Sequence, residues 1–129
     1  MVYSRFMSFV TWFEIPAVDL DRAIAFYEHV LEVALERTEI DGHPMALFPD
    51  PSDDDAGASG SIATGDSYVP SLDGTRVYFR VPDVAATLQR AIDRGGRELY
   101  PVTDIGPAGL VAEFADSEGN RIALGGPSA

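Results

Sequence analysis

The sequence predicts an α+β fold in which two tandem βαβββ modules form a curved mixed sheet around a central cup, with the helices on the convex side. Two observations lead to this prediction. The order strand, helix, strand, strand, strand occurs twice along the chain. The two halves also align without a gap when Asp19 is placed on Asp83, which matches Trp12 with Arg76. An internal repeat of this kind indicates two similar structural units.

The first predicted module covers about residues 8–64. Pro16 ends its first strand because proline cannot donate to a sheet ladder, and Asp19 can cap the helix that follows. Asp41-Gly42 is a typical hairpin turn between the next two strands. The predicted elements are strand 9–15, a helix from residue 20, strands 34–40 and 43–48, and strand 61–64.

The second predicted module covers about residues 75–125 and follows a linker at 65–74 that is rich in Gly, Pro and Ser. Asp83 can cap its helix, and Gly95-Gly96 ends it. The predicted elements are strand 75–81, helix 84–94, and strands 97–102, 109–116 and 121–125, with a turn at 116–120 between the last two. The whole chain, residues 1–129, has the size of one domain.

Composition narrows the classes of function. The net charge is −12, from 21 acidic residues against nine basic residues that are all arginine. This balance argues against nucleic-acid binding, which depends on neutralising phosphates, and against anionic membranes. There is no cysteine, so disulfides and thiolate metal sites are excluded. No apolar run approaches the roughly 20 residues that span a bilayer, and no signal-peptide pattern opens the chain, so we expect a cytoplasmic protein.

Four stretches carry a resemblance to a known family: "FEIPAVDLDRAIAFYEHVL", "SLDGTRVYFRVPDVAATLQRAI", "GGRELYPVTDIGP" and "FADSEGNRIAL". Together they resemble the glyoxalase / bleomycin-resistance / extradiol-dioxygenase superfamily, also called vicinal oxygen chelate proteins, over residues 8–125. The resemblance implies the two-module cup and, because relatives are commonly dimers, a homodimer. It does not fix a reaction, since fold does not determine function.

Many members of that superfamily hold a divalent metal in the cup, with ligands from four strands. The resemblance places the four ligand positions at Trp12, Ala46, Arg76 and Ala123. Indole has no free nitrogen lone pair, guanidinium is a permanent cation, and alanine has no donor atom. We therefore expect no metal site and no cofactor, and a protein that binds a small organic ligand in its cup.

Alternation along the strands indicates which side chains face the cup. The predicted ligand-binding residues are Trp12, Glu14, Phe48, Arg76 and Tyr78. Aromatic rings together with arginine suit a planar or anionic ligand. We also expect a hydrogen bond between Glu14 and Arg76.

Other interpretations remain open at this point. The chain could be a lyase, isomerase or dioxygenase that uses a relocated divalent metal, or acid–base chemistry from Glu14, Glu113 or Tyr78. It could also be an accessory domain that binds another protein. His43 could lie at the surface or at the mouth of the cup, and residues 50–58 could act as a lid. The cup could form within one chain or across a dimer.

Overall fold

A computed structural model describes residues 9–50 and 59–128, and it confirms the βαβββ order of both modules. The first module contains β1 Trp12–Pro16, α1 Leu20–Leu31, β2 Glu36–Ile40, β3 His43–Leu47 and β4 Ser59–Ala63. The second contains β5 Val77–Arg80, α2 Val84–Asp93, β6 Arg97–Asp104, β7 Leu110–Ala115 and β8 Arg121–Gly126. A short 3₁₀ helix, Gly106–Ala108, lies between β6 and β7 and was not predicted. The lid hypothesis concerns a loop of which residues 51–58 lie outside the described residues.

Both helices begin where the repeat predicts. The Asp19 carboxylate accepts a hydrogen bond from the Arg22 amide at 3.0 Å, and Asp83 accepts one from the Ala86 amide at 3.0 Å. Each aspartate has extended backbone angles, as an N-cap residue should. The Asp19–Asp83 alignment is therefore correct at the level of local structure.

The strands form two four-stranded mixed sheets, with orders β1-β4-β3-β2 and β5-β8-β7-β6. In each module the first strand pairs in parallel with the last, and the other pairs are antiparallel. The Asp41-Gly42 hairpin has positive φ at both turn residues, as a type I′ turn requires. Of the helices in the described ranges, none is long and apolar enough to cross a membrane.

The two modules share one apolar core on the helix side of the sheets. Phe13 of β1 and Phe79 of β5 meet edge to face with ring centroids 5.6 Å apart. Tyr27 of α1 is fully buried beside both Phe48 and Phe79. The Arg90 side chain of α2 also donates to the Val30 carbonyl of α1 at 3.0 Å. The two modules are therefore held together by a shared apolar core and by a hydrogen bond between their helices.

The turn at residues 116–120 joins the second module to the first. The buried Glu118 carboxylate accepts hydrogen bonds from the amides of Val18 and Asp19, both at 2.8 Å, and pairs with Arg22 at 2.7 Å. The Asn120 amide donates to the Pro16 carbonyl at 2.8 Å. A carboxylate at this point also complements the positive end of the α1 dipole. Contacts across about 100 residues of sequence thus fix the start of α1.

This junction predicts a pH dependence. Burial alone would raise the pKa of Glu118, but the hydrogen bonds from Arg22 and the two amides outweigh it, so the pKa is lowered from 4.5. A lowered pKa means that Glu118 contributes stability above pH 4.5, and that this contribution is lost as the pH falls through the folded-state value. We expect Glu118→Gln to cost about 1–2 kcal/mol at pH 7 and less at pH 3, as measured by urea denaturation. An equal cost at both pH values would contradict the assignment.

Candidate functional site

The face of each sheet that points away from the helices is called the open face here. On β1, Ile15 is buried in the core and Phe13 packs against it, so alternation places Trp12 and Glu14 on the open face. Trp12 is 42% exposed. The orientation of β1 counted from Asp19 is therefore correct.

Glu14 has a partner that the sequence did not predict. The Tyr68 hydroxyl, from the linker between the modules, donates to the Glu14 carboxylate at 3.0 Å. This hydrogen bond raises the pKa of Tyr68. The Tyr68 ring also meets the His43 ring edge to face at 5.7 Å, and His43 lies on β3 at the end of the open face. The linker thus contributes to the site, and no local sequence pattern indicates this contribution.

The prediction of a hydrogen bond between Glu14 and Arg76 is wrong. Arg76 instead donates to Glu113 at 3.1 Å, and Arg121 donates to the other oxygen of the same carboxylate at 2.7 Å. The Glu113 side chain is only 10% exposed. Because both of its oxygens are bound to guanidinium groups, Glu113 suits an anchor for the two arginines better than a general base.

Tyr78 and Ala123 occupy neighbouring strands in the same cross-strand row as Glu113. Tyr78 is 57% exposed on the open face of the second sheet. On β7, Ala112 and Phe114 belong to the core, as predicted from alternation, which leaves Glu113 on the opposite face. Rings of Trp12 and Tyr78 are therefore available to solvent on the open faces of both sheets.

Two predicted site residues, Ala46 and Phe48, lie on the wrong side of the first sheet. Ala46 is 0% exposed in the core and pairs with Ile62. Phe48 is 7% exposed, and its ring lies 5.5 Å from that of Phe13 on the helix side. The register of β3 was misjudged by one residue, which reverses every side chain. The open-face residues of β3 are His43, Met45 and Leu47.

A family model described as the glyoxalase/bleomycin resistance protein/dioxygenase superfamily matches residues 10–124. The chain belongs to this superfamily. A glyoxylase-like domain-containing protein from Didymella fabae is 29% identical over 121 residues, which cover 89% of this chain and 91% of that protein.

Solved structures agree with the superfamily fold. A glyoxalase/bleomycin resistance protein from Albidiferax ferrireducens T118 has a TM-score of 0.71 at 16% identity, over 92% of this chain and 98% of the other. TnmS3, an antibiotic binding protein from Streptomyces sp. CB03234, has a TM-score of 0.64 at 24% identity, over 95% and 98%. A mutant of glyoxalase I from Zea mays has a TM-score of 0.66 at 18% identity over 90% of this chain. The chain spans about half (46%) of the length of that maize enzyme.

The repeat also corrects the second position of the superfamily's metal set. Ala123 pairs with Tyr78 on β5, and the equivalent pair in the first module joins Ser61 to Glu14. By the repeat, the residue equivalent to Ala123 is therefore Ser61 of β4, whereas Ala46 lies in the core. Ser61 is 0% exposed, and its hydroxyl points to the Met45 sulfur at 3.7 Å.

The resulting donor set does not fit a divalent metal. It consists of an indole, a neutral hydroxyl, a guanidinium and a methyl group, at Trp12, Ser61, Arg76 and Ala123. Carboxylates and imidazoles, the usual ligands, are absent from these four positions. Within residues 9–50 and 59–128, no three His, Asp or Glu side chains are grouped to hold a metal ion elsewhere.

Proposed function

We propose that this member of the superfamily binds a small planar or anionic organic molecule on its open face, as a homodimer and without a divalent metal. The observation that carries the proposal is the chemistry of the four metal positions, which offer no donor set. Exposed rings at Trp12 and Tyr78 provide stacking surfaces instead. TnmS3, an antibiotic binding protein with the same fold, supports a binding role.

Three measurements test this proposal. Elemental analysis of protein purified without chelators should find no stoichiometric Mn, Ni, Zn or Fe. A thermal-shift screen should include planar carboxylates and neutral polycyclic compounds. A compound present at 100 times its Kd stabilises the protein by about 2.7 kcal/mol. One metal ion per chain, or no stabilising compound in either class, would overturn the proposal. Light scattering at micromolar concentrations should give the mass of two chains.

Trp12 provides a direct reporter because it is the only tryptophan in the chain. We expect 4-nitrobenzoate, a planar anion that does not fluoresce, to quench Trp12 emission in a saturable way. Trp12→Ala should weaken binding about five- to tenfold, the usual scale of an aromatic contact, as measured by calorimetry. Trp12→Phe is the matched control, since it keeps a ring and should retain most of the affinity. Equal affinities for the Ala and Phe variants would place the molecule away from Trp12.

A second candidate function, acid–base catalysis, rests on Glu14. Its carboxylate lies on the open face and accepts a hydrogen bond from Tyr68, whereas Glu113 is held by two arginines. A carboxylate with one neutral donor can still accept a proton from a bound substrate. Turnover of a ligand found in the screen, abolished by Glu14→Gln with binding retained, would favour this function.

A further inference from the structure

A cavity of about 610 Å³ opens on the second module, where the parallel strands β5 and β8 end together. Tyr78, Arg80, Gly125 and Gly126 contribute the strand side of the cavity. The rest of the lining comes from Phe79, from residues 107–109 and from residues 127–128. The volume is within the usual range for sites that bind small molecules.

Glycines create the space. Gly125 lies opposite Arg80 in the β5–β8 pair, and a Cβ built on Gly125 would meet no atom within 4 Å. Gly109, in contrast, has no room for a side chain, because a Cβ would lie 2.1 Å from the Gly126 carbonyl oxygen. The turn before β7 can therefore approach the end of β8 closely, while β8 carries no side chain at the position beside Arg80.

Arg80 is the cationic group of this cavity. Five of the eight arginines that the structure describes form ion pairs with carboxylates. These five are Arg22, Arg37, Arg76, Arg90 and Arg121. The Arg80 guanidinium has neither an ion pair nor a hydrogen bond with any described residue. No acidic residue is among the described residues that line the cavity. In a chain of net charge −12, this leaves a guanidinium free for an anion.

The Tyr78 ring beside Arg80 indicates which kind of anion the cavity suits. Tyr78 and Arg80 are two residues apart on β5, so both side chains leave the same face of the strand. An aromatic plane can stack on Tyr78 while a carboxylate binds the planar Arg80 guanidinium through two parallel hydrogen bonds. The side chains of Pro107, in the turn before β7, and of Pro127, directly after β8, add apolar surface.

We propose that this cavity is a subsite for an aromatic carboxylate, with Arg80 binding the carboxylate and Tyr78 stacking on the ring. The inference rests on the proposed ligand-binding function and makes it specific. It assigns the recognition of the anion to Arg80 in place of Arg76, which Glu113 already occupies.

Calorimetry with 2-naphthoate and its neutral analogue 2-naphthamide tests the subsite. We expect naphthoate to bind at least tenfold more tightly than naphthamide to the wild-type chain, and the preference to shrink at high salt. Arg80→Ala should weaken naphthoate about 10- to 100-fold and leave naphthamide nearly unchanged. Arg97→Ala is the matched control, because Arg97 is also exposed and unpaired within the described chain but lies outside the cavity. It should change either affinity less than twofold.

Gly125→Val tests the cavity itself. A Cβ at this position meets no atom within 4 Å, so we expect valine to fill the bare surface with the fold retained and the binding of both probes lost. Equal losses for Arg80→Ala and Arg97→Ala, or unchanged binding in Gly125→Val, would overturn the subsite. So would a wild-type chain that binds neither probe at millimolar concentration. The wider proposal would still stand if other compounds in the thermal-shift screen bound.

Discussion

Asp116→Ala is expected to lower the free energy of unfolding by about 4 kcal/mol. The Asp116 carboxylate is 5% exposed and accepts four hydrogen bonds. Tyr27 donates at 2.5 Å, the Glu118 amide at 2.9 Å, and the backbone and side-chain amides of Asn120 both at 2.9 Å. Hydrogen bonds to a charged group contribute about 1.5–3 kcal/mol each, and members of one network are not additive.

The loss would leave a buried donor without a partner. Burial raises the pKa of the Tyr27 hydroxyl well above 10, so this group remains a protonated donor at neutral pH. After the substitution this hydroxyl would lose its carboxylate acceptor, and an unsatisfied buried donor is costly. The melting temperature should fall by roughly 10–15 °C for a chain of this length.

Two variants give this prediction its controls. Asp116→Asn keeps one oxygen for Tyr27 and should cost about half as much, whereas Asp66→Ala removes an exposed linker carboxylate and should cost less than 0.5 kcal/mol. Urea denaturation followed by circular dichroism measures all three. If Asp116→Ala and Asp66→Ala gave the same midpoint, the 116–120 turn would not hold the two modules together as described.

The sequence was sufficient to predict the fold because its signals are local and occur twice. Asp19 and Asp83 each cap a helix, and each follows a strand at the same distance along the chain. The two modules therefore align from strand to helix without a gap. Counting back from a cap therefore gave the correct faces of β1 and β5, including Trp12 and Tyr78. The structure confirms both caps.

The third strand shows where this reasoning fails. The segment "HPMALF" follows a hairpin and has apolar residues at four consecutive positions, so it carries no alternation that separates one face from the other. Both faces of β3 are covered, with Met45 buried on the open side and Ala46 in the core. The register of β3 comes from its pairing with Ile62 and Ala63 on β4, which a single sequence does not reveal.

Charged pairs in the site were unpredictable for a related reason. Glu14 and Arg76 were predicted to bind each other, but each binds a residue supplied by another segment. Tyr68 reaches Glu14 over 54 residues, and Glu113 reaches Arg76 over 37 residues. Each pairing depends on how segments distant in sequence come together in the fold. This is why we propose Arg80, and not Arg76, as the group that binds an anion.

Gly60→Val is the second substitution with a large expected effect on stability, a loss of about 3 kcal/mol. Gly60 is buried in β4 opposite Phe13 of β1. A Cβ on Gly60 would lie 2.4 Å from the Phe13 carbonyl oxygen and 2.6 Å from its ring. Such contacts require β1 to move, and overpacking in a core typically costs 1–3 kcal/mol. The expected loss of stability is at the upper end of this range because the new side chain would meet the Phe13 backbone as well as its ring.

The second module shows how the same place is filled differently. The equivalent pair in the second module is Val77 and Ile122. Each of these strands carries an aliphatic side chain, whereas the first module has the Phe13 ring on one strand and no side chain at Gly60 on the other. The two modules thus fill this place from different strands. Gly125→Val is the matched control, since it makes the same replacement in a parallel strand pair with free space, and it should cost less than 1 kcal/mol.

A double-mutant cycle separates the ring from the backbone. In Phe13→Ala/Gly60→Val the new side chain occupies part of the space that the ring leaves, so the combined loss should be smaller than the sum of the single losses by at least about 1 kcal/mol. Rescue should be incomplete because the Phe13 carbonyl oxygen remains in place. Full additivity would show that Phe13 and Gly60 do not share volume. Because Trp12 and Glu14 flank Phe13 on β1, Gly60→Val should also shift Trp12 emission, whereas Gly125→Val should leave it unchanged in the absence of a ligand.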